Sequence, residues 1–300
     1  MFDLTGVMPA MFTCYDSQGD VTTEGLDEYL TFCIDRGCSG FFVGGSSGEG
    51  LLQNTEDRAE YLEAVVKMLA GEVPVIAHVG APSTRETCEL ARHAADVGAD
   101  VVGSVLPIYY SFDADAIADY YRAIAENCDL PMLVYYLASA SSQALDPLIF
   151  VEKLASIPHV QAMKYTSSDL EPFKQIIELV GDELSMIMGS DQMFLPALTL
   201  GADGAIGTTH NFMPEMFVGI YESYNSGDMK RAEELMDRTF KIIHRLHRKY
   251  RMMAACREIM KIRGFDIGPS RRPLPPLREG KKDELRADLE DLDFFSDPIR

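Results

Sequence analysis

Lys164 is a candidate covalent nucleophile because of its place in the sequence. It follows the apolar run 160–163 (VQAM), so its side chain should lie at the end of a buried strand, where water has restricted access. Loss of water disfavours the ammonium form, and the neutral amine can then attack a ketone to give an iminium. An iminium draws electrons toward itself, so that a carbon–carbon bond one position away can break or form. On spacing alone, the alternative of a lysine that extends to solvent from a strand end is slightly favoured.

Hydroxyl-bearing side chains in three other segments could serve the same chemistry. Tyr135 suits proton transfer to and from the carbinolamine hydroxyl, since a phenol can act as general acid and base. Ser46 and Ser47 lie in the loop 44–50 (GGSSGEG), whose glycines let amides approach a ligand and whose hydroxyls suit a carboxylate. The loop lacks the Lys-Ser/Thr of a phosphate-binding loop, and taken singly it is equally well a tight turn. Together with Tyr109 and the lysine, these residues on four separate strand ends predict a catalytic site.

These residues occur within an eightfold alternation of short apolar runs and longer helical patterns. The helical stretches include 55–70, with Thr55 as the predicted N-cap, and 83–98, which Ser83 and Gly98 are predicted to begin and end. The predicted strands are 7–12, 40–43, 75–78, 101–104, 132–135, 160–164, 186–188 and 204–207.

Strands that each follow a helix pair in parallel, and continuous apolar runs imply burial on both faces of the sheet. A doubly wound open sheet also gives this alternation, but eight units in about 225 residues favour an α/β fold of the (β/α)8 TIM barrel class. Residues 1–225 are assigned to the catalytic barrel and 226–300 to a C-terminal helical region, an appendage without a strand pattern. Because barrel chemistry gathers at the carboxyl ends of the strands, the candidate residues should share one mouth.

The composition argues against several other classes of protein. A formal charge of −20 over 300 residues argues against a protein whose surface as a whole binds nucleic acid. The basic stretch 241–263 has helical spacing and is predicted to form one amphipathic helix with a solvated or intersubunit face. No run approaches the ~20 apolar residues of a membrane span, and the first residues do not resemble a signal peptide, so we expect a cytoplasmic protein with no membrane partner.

The cysteines and histidines give no sign of a metal centre. The six cysteines include no Cys-x-x-Cys pair, and we expect them to be reduced and mostly buried. His244 and His247 have helical spacing, but no matching Cys or carboxylate pattern surrounds them. We therefore expect no metal and no other cofactor.

Five motifs, taken together, are specific for one family. They are 45–49 (GSSGE), 107–110 (PIYY), 134–135 (VY), 164–166 (KYT) and 201–207 (GADGAIG), with a Pro-Leu-x-x-Leu segment at 273–277. On these residues the chain resembles the dihydrodipicolinate synthase / N-acetylneuraminate lyase family of pyruvate-dependent class I aldolases, over essentially its full length. The resemblance implies a small-molecule substrate with a 2-oxo acid (pyruvate) moiety and a homotetramer built as a dimer of dimers.

The resemblance also implies a role for each candidate catalytic residue. Lys164 would form the Schiff base with the 2-oxo acid, and Tyr135 would be the general acid and base near the leaving aldehyde. Ser46 would link Tyr135 to Tyr109, which in many relatives reaches in from a neighbouring subunit. Ser46 and Ser47 would hold the substrate carboxylate.

Within the family, the segments 164–166 and 189–192 resemble those of sialate lyases more than those of dihydrodipicolinate synthases. Polar groups there suit a polyhydroxylated substrate, since each hydroxyl that is buried unpaired is costly. The substrate contacts implied by the resemblance come from Thr166, Gly189, Asp191, Gln192 and Thr208.

Three departures separate the chain from its relatives. Gln192 stands where sialate lyases typically have Glu. After Tyr135, the usual Asn-x-Pro is replaced by 136–138 (YLA) and the usual following Gly by Ser142, so the aldehyde-side pocket should be reshaped. Ala140 takes the place of an arginine of dihydrodipicolinate synthases. The loss of that bidentate carboxylate clamp argues against lysine biosynthesis.

Four functions are compatible with these residues. The leading one is a lyase that splits a 2-oxo sugar acid, such as N-acetylneuraminate or a 2-keto-3-deoxy sugar acid, into pyruvate and an aldehyde. A sugar-acid dehydratase would use the same lysine iminium to eliminate water. The third hypothesis is the synthesis of 4-hydroxy-tetrahydrodipicolinate. The fourth is a barrel that binds a metabolite and has no catalytic activity. A binding role would not require a neutral lysine beside two tyrosines and two serines.

Overall fold

The computed structural model describes residues 4–138 and 146–296. Its eight strands form one parallel sheet in the order β1-β8-β7-β6-β5-β4-β3-β2, each neighbour pair being parallel. The strands are β1 Gly6–Pro9, β2 Phe41–Val43, β3 Val75–His78, β4 Val101–Val105, β5 Met132–Leu137, β6 Val160–Thr166, β7 Ser185–Met188 and β8 Gly204–Gly207.

The two edge strands of this sheet meet and close it into a barrel. Ala10, directly after β1, bridges in parallel to Phe42 of β2, and the N–H of Met11 donates to the Phe42 carbonyl at 2.9 Å. The predicted (β/α)8 TIM barrel is thereby confirmed. The prediction that the first strand extends to residue 12 was wrong. Regular pairing ends at Pro9, Ala10 adds the single bridge to Phe42, and Thr13 already lies outside the sheet, donating its hydroxyl to the carbonyl of Gly48 at 2.7 Å.

Eleven α-helices are present in the described residues. They are α1 Leu26–Ile34, α2 Thr55–Leu69, α3 Thr84–Val97, α4 Ala114–Ala125, α5 Pro147–Ala155, α6 Glu171–Val180, α7 Phe194–Leu200, α8 Pro214–Ser226, α9 Met229–Lys249, α10 Met252–Ile262 and α11 Lys281–Asp291.

The predicted helix ends are confirmed for α3 and wrong by one residue for α2. The Ser83 hydroxyl accepts the N–H of Glu86 at 3.2 Å, and Gly98 ends the helix in the left-handed region at φ 87°. At α2 the cap is Asn54, whose side chain accepts the N–H three residues ahead at 2.7 Å, and Thr55 is the first helical residue. Asparagine is the stronger N-cap of the two, because its amide oxygen reaches that N–H readily.

The barrel has an apolar core inside the strands and a second one between strands and helices. Tyr135 belongs to the inner core. The next residue, Tyr136, faces outward and stacks on Tyr165 with 5.2 Å between ring centroids and an interplanar angle of 12°. This alternation follows from the two-residue period of a strand, and it directs Lys164, the residue before Tyr165, into the barrel.

The basic stretch 241–263 does not form the single helix that its spacing predicted. α9 ends at Lys249, and Tyr250 is extended (φ −130°, ψ 163°) before α10 begins at Met252. The break lets the Tyr250 hydroxyl donate to Asp288 of α11 at 2.7 Å, while Lys249 pairs with the same carboxylate at 2.9 Å. Arg245 also pairs with Asp288, so part of the basic face is neutralised within the chain rather than left to solvent.

Three further features bear on the class of protein. All six cysteines are buried free thiols, as predicted. No helix in residues 4–138 and 146–296 combines the length and the apolar character that crossing a membrane requires. Over the same ranges, no three His, Cys, Asp or Glu side chains are grouped in a way that could hold a metal ion.

Candidate active site

Lys164 lies inside the barrel, two residues before the end of β6. Its residue is 4% exposed, and its Nζ is 4.8 Å from the ring centroid of Phe42 and 4.1 Å from that of Tyr135. Among the described residues, no carboxylate pairs with this nitrogen. The amine is therefore left free of any ion pair with these residues and lies against aromatic rings instead.

The pairing of β5 with β6 contains an irregularity that sets the position of this lysine. Met132 is opposite Val160, but the next residue of β5, Leu133, is opposite Ala162, so β6 advances by one extra residue. Beyond this bulge the register stays regular, and Tyr135 is directly opposite Lys164. Both strands then continue for two further residues, so the prediction that they end at these two positions was wrong. Tyr136 and Tyr165, whose rings stack, form the next pair of residues along the two strands.

Tyr135 is held by aromatic packing. It is 4% exposed, and its ring meets those of Phe42 and His78 edge-on, with centroid distances of 6.0 and 6.4 Å. Edge-to-face contacts of this kind fix the plane of a ring. Within the described part of the chain, the phenol oxygen makes no hydrogen bond to Ser46 or Tyr109.

The loop 44–50 brings Ser47, but not Ser46, into contact with another predicted site residue. Ser47 is buried, and its Oγ is 2.7 Å from Oγ1 of Thr208, which follows β8. This hydrogen bond joins the ends of β2 and β8 at the barrel mouth. Ser46 is exposed, with its side chain at the surface of the loop. Gln53 holds the loop from below by donating to the Gly48 carbonyl at 2.8 Å.

Tyr109 lies apart from the other candidate catalytic residues. It is 85% exposed and has φ 77°, a left-handed conformation that costs a non-glycine residue strain. Its nearest aromatic neighbour is Tyr110, with ring centroids 5.0 Å apart. The relay from Tyr135 through Ser46 to Tyr109 is therefore not formed within one copy of the chain.

Thr166 and Gly189 form the wall beside the lysine. The Thr166 hydroxyl oxygen is buried and has no hydrogen-bond partner among the described residues. Gly189 lies against it: a Cβ at this position would overlap the Thr166 hydroxyl and would approach Cε of Lys164 to 2.9 Å. Only glycine leaves room for both side chains, and this requirement explains Gly189 without any ligand.

Asp191 and Gln192 differ in their surroundings. Asp191 is 9% exposed, and its Oδ2 accepts hydrogen bonds from the N–H and the hydroxyl of Thr209, at 2.9 and 2.7 Å. Gln192 lines a surface groove between α7 and α9 together with Leu195 and Phe240, which places it at the periphery of the predicted set. Ser142 and Ala140, two of the departures described above, lie outside the described residues.

His78 is a buried residue of the site that sequence analysis did not single out. Burial, with the charge of Arg58 as a second cause, lowers the pKa of His78 to about 3, so the ring is neutral. The N–H of Val105 donates to Nε2 at 3.2 Å, so the ring proton is on Nδ1, which donates to the carbonyl of Gly44 at 3.1 Å. The ring thus ties the ends of β2, β3 and β4 together. Its position at the end of a predicted strand was the signal that could have identified it.

Glu49 anchors the loop 44–50 to the C-terminal helices. Its carboxylate accepts from Nε and Nη2 of Arg257 at 3.0 and 2.9 Å and from the N–H of Arg271 at 2.6 Å. Both ionic side chains are buried, and Arg257 also donates to the carbonyl of Thr13 at 3.0 Å. No local pattern in the sequence could have paired two residues so far apart in the chain.

Comparison with known protein families shows to which family the chain belongs. The model of the dihydrodipicolinate synthetase family matches residues 3–292. The chain belongs to this family. The expected class is confirmed with it, namely a lyase among the class I aldolases that include N-acetylneuraminate lyases.

Individual relatives of this family member cover nearly the whole chain. It is 37% identical over 289 residues to an uncharacterized DapA-like lyase of Halobacterium salinarum, covering 96% of this chain and 94% of that protein. It is 35% identical over 277 residues to the N-acetylneuraminate lyase of Mediterraneibacter gnavus, covering 91% and 87%. Among solved structures, the sialic acid aldolase of Ruminococcus gnavus superposes with a TM-score of 0.91 at 32% identity, covering 96% and 97%.

Proposed function

We propose that this family member cleaves a 2-oxo sugar acid, such as N-acetylneuraminate or a 2-keto-3-deoxy sugar acid, into pyruvate and an aldehyde. The observation that carries the proposal is the Lys164 amine, which is buried inside the barrel against the Tyr135 ring and has no carboxylate partner in the part of the chain that the structure describes. Such an amine suits attack on a ketone. The relatives named N-acetylneuraminate lyases support a sugar acid as the substrate.

In the proposed mechanism, the Lys164 amine adds to the C2 ketone of the substrate. Tyr135 donates its phenolic proton to the carbinolamine hydroxyl, which leaves as water, and an iminium forms. The Tyr135 phenolate then accepts the proton of the C4 hydroxyl while the C3–C4 electron pair moves into the iminium. The aldehyde departs, leaving an enamine. Tyr135 returns this proton to C3, which gives the iminium of pyruvate and leaves the phenolate. Water then adds to the iminium and passes its proton to the phenolate, so that hydrolysis releases pyruvate and restores both the amine and the phenol.

The hydroxyl groups at the mouth are proposed to bind the rest of the substrate. Ser47, joined to Thr208, and Ser46 would hold the carboxylate by donating hydrogen bonds. The unpartnered hydroxyl of Thr166 would pair with a substrate hydroxyl, which relieves the cost of burying both groups. Asp191 would accept from a second hydroxyl, and the backbone of Gly189, beside Lys164 and Thr166, would contact the chain of the sugar acid. Gln192 is proposed as a more distant contact.

A homotetramer, built as a dimer of dimers, would complete the proton relay. Tyr109 suits a role in a neighbouring subunit, because its side chain is 85% exposed at the tip of a tight turn, which the N–H of Tyr110 closes by donating to the carbonyl of Ile108 at 3.1 Å. There it would meet Ser46 and extend the relay from Tyr135.

Reductive trapping and a substrate panel test the proposal. The protein is incubated with pyruvate and cyanoborohydride, and intact and peptide mass spectra should show one reduced adduct, on Lys164. A panel of 2-oxo sugar acids is then assayed for two products, pyruvate and a dehydrated 2-oxo acid of unchanged chain length. Release of pyruvate supports the lyase, whereas the longer product with no pyruvate would identify a dehydratase. No adduct and no turnover would mean a silent barrel.

A further inference from the structure

Arg58 of α2 carries a positive charge into the interior, and within the described residues it forms no ion pair with a carboxylate. The residue is 6% exposed, and its Nη1 and Nη2 donate to the carbonyls of Gly80 and His78 at 2.9 and 2.6 Å. No acidic side chain among the described residues pairs with it. Burial lowers the pKa of Arg58 to about 10, so the guanidinium remains charged at neutral pH. Its hydrogen-bond partners are neutral carbonyls, and the carboxylate of Glu86 attracts it without forming an ion pair, so an anion directly beside it would offset more of the cost of burying the charge.

A second buried nitrogen lacks a partner in the same place. Nε of Arg58 and Nδ1 of His93, on α3, are both buried without a hydrogen-bond partner in residues 4–138 and 146–296. Both residues line one cavity of about 20 Å³, whose wall is otherwise largely apolar and includes Leu62 and Leu90. A cavity of this size holds one water-sized particle, since a water needs about 10–15 Å³ on this measure. It is too small for a phosphate or a carboxylate ligand.

We propose that this cavity, outside the catalytic mouth, binds a single halide ion, chloride under physiological conditions. Arg58 Nε can only donate a hydrogen bond, and His93 Nδ1 donates in one of its two neutral tautomers, so both would point N–H groups at the ion. His78 also lines the cavity, but both of its ring nitrogens are engaged by Gly44 and Val105. The guanidinium charge favours an anion over a neutral water. The overall charge of −20 repels anions from the protein in general. A halide bound in this cavity would therefore be held by the local N–H groups of Arg58 and His93.

Bromide replaces chloride in such a site and can be located directly. Crystals of the full chain are grown with bromide as the only halide, and data are collected at the bromine absorption edge. An anomalous peak in contact with Arg58 Nε and His93 Nδ1 is expected, and it should vanish in His93→Phe. Density typical of water, with no anomalous signal under saturating bromide, would overturn the proposal. The anomalous signal of the wild type tests the proposal even if His93→Phe does not fold.

Thermal unfolding tests the same site in solution, where a ligand that binds only the folded state raises Tm. The wild type is compared in sodium chloride and in sodium gluconate at equal ionic strength. Its Tm should rise with chloride, in proportion to the logarithm of the concentration once this exceeds Kd, and His93→Phe should lose most of this chloride-specific rise. The matched control is His247→Phe, which removes an exposed imidazole on α9 and should keep the full rise. Equal chloride effects in the wild type and His93→Phe would contradict a halide at this position.

Discussion

The amine of Lys164 lies 4.1 Å from the ring centroid of Tyr135, its direct register partner on the adjacent strand. This relationship depends on the bulge between β5 and β6. Without the extra residue, the pairing that begins at Met132 and Val160 would place the lysine opposite Tyr136, whose side chain faces outward. Since a one-residue slip turns every side chain of a strand to the other face, the bulge directs the amine into the barrel.

Replacing the lysine should remove catalysis and leave the fold. Lys164→Ala is expected to lower turnover of the cognate 2-oxo acid by ~10⁴-fold or more, because it removes the amine that is proposed to form the iminium. The same variant should give no reduced pyruvate adduct in a mass spectrum, with an unchanged circular dichroism spectrum. Lys153→Ala, on α5, is the control and should behave as wild type. Wild-type turnover in Lys164→Ala would exclude the proposed mechanism.

The two adjacent tyrosines of β5 should respond differently to loss of the hydroxyl. Tyr135→Phe is expected to slow turnover by about 10²–10⁴-fold, the range for removing a general acid and base. Its fold should persist, because the ring is held by packing against Phe42 and His78. Tyr136→Phe changes the same group on the outer face and should leave kcat within about twofold. Similar kinetic losses in both variants would show that the effect is structural.

Removing the unpartnered hydroxyl of the site should separate stability from activity. Thr166→Val is expected to leave the free energy of unfolding unchanged or to raise it by up to about 1 kcal/mol, because that buried oxygen has no partner to lose. Urea denaturation measures this change. The variant should raise KM for a polyhydroxylated substrate and leave pyruvate trapping on Lys164 intact. A destabilised variant with normal KM would show that the hydroxyl serves the fold.

The buried histidine of β3 should make the fold sensitive to acid. The pKa of His78 is lowered to about 3, below its unfolded value of about 6.5, so only the unfolded chain binds a proton between these values. Its contribution to stability is complete above pH 6.5 and is lost progressively as the pH falls, by about 2 kcal/mol between pH 7 and pH 5. Urea unfolding at these two pH values should show a smaller drop for His78→Gln than for wild type.

A matched substitution separates this effect from general acid sensitivity. His247→Gln removes an exposed imidazole on α9 and should retain the wild-type pH dependence. If His78→Gln lost as much stability as the wild type between pH 7 and pH 5, the protonation of another group would have to explain the decline.

The parallel strands and the burial of Lys164 beside Tyr135 were predictable from sequence, because both depend on local pattern. Buried apolar runs mark the strands, and a lysine or tyrosine at the end of such a run is conspicuous. The bulge between Val160 and Ala162 was not predictable, since it depends on how two strands pair. Nor was the break at Tyr250, whose extended conformation is stabilised by Asp288, on another helix.

The partners of polar side chains were the least predictable part of the site. Glu49 belongs to a recognised motif, yet nothing near it in the chain indicates that Arg257 neutralises it. Similarly, the neutral state of His78 follows from burial and from a neighbouring guanidinium, and both are properties of the folded chain. Local pattern identifies a reactive group, whereas its electrostatic environment comes from residues that only tertiary structure brings near.

The ion pair between Glu49 and Arg257 also has a consequence for the order in which the protein matures. During synthesis the residues of the barrel leave the ribosome first, and the loop that carries Ser46 and Ser47 emerges with them. The ion pair that anchors this loop can form only after α10 has been made and has docked, because α10 carries the guanidinium of Arg257. A nascent chain that has completed all eight strands therefore still lacks this anchor at the barrel mouth, and the carboxylate site proposed for Ser46 and Ser47 would be completed among the last events of folding.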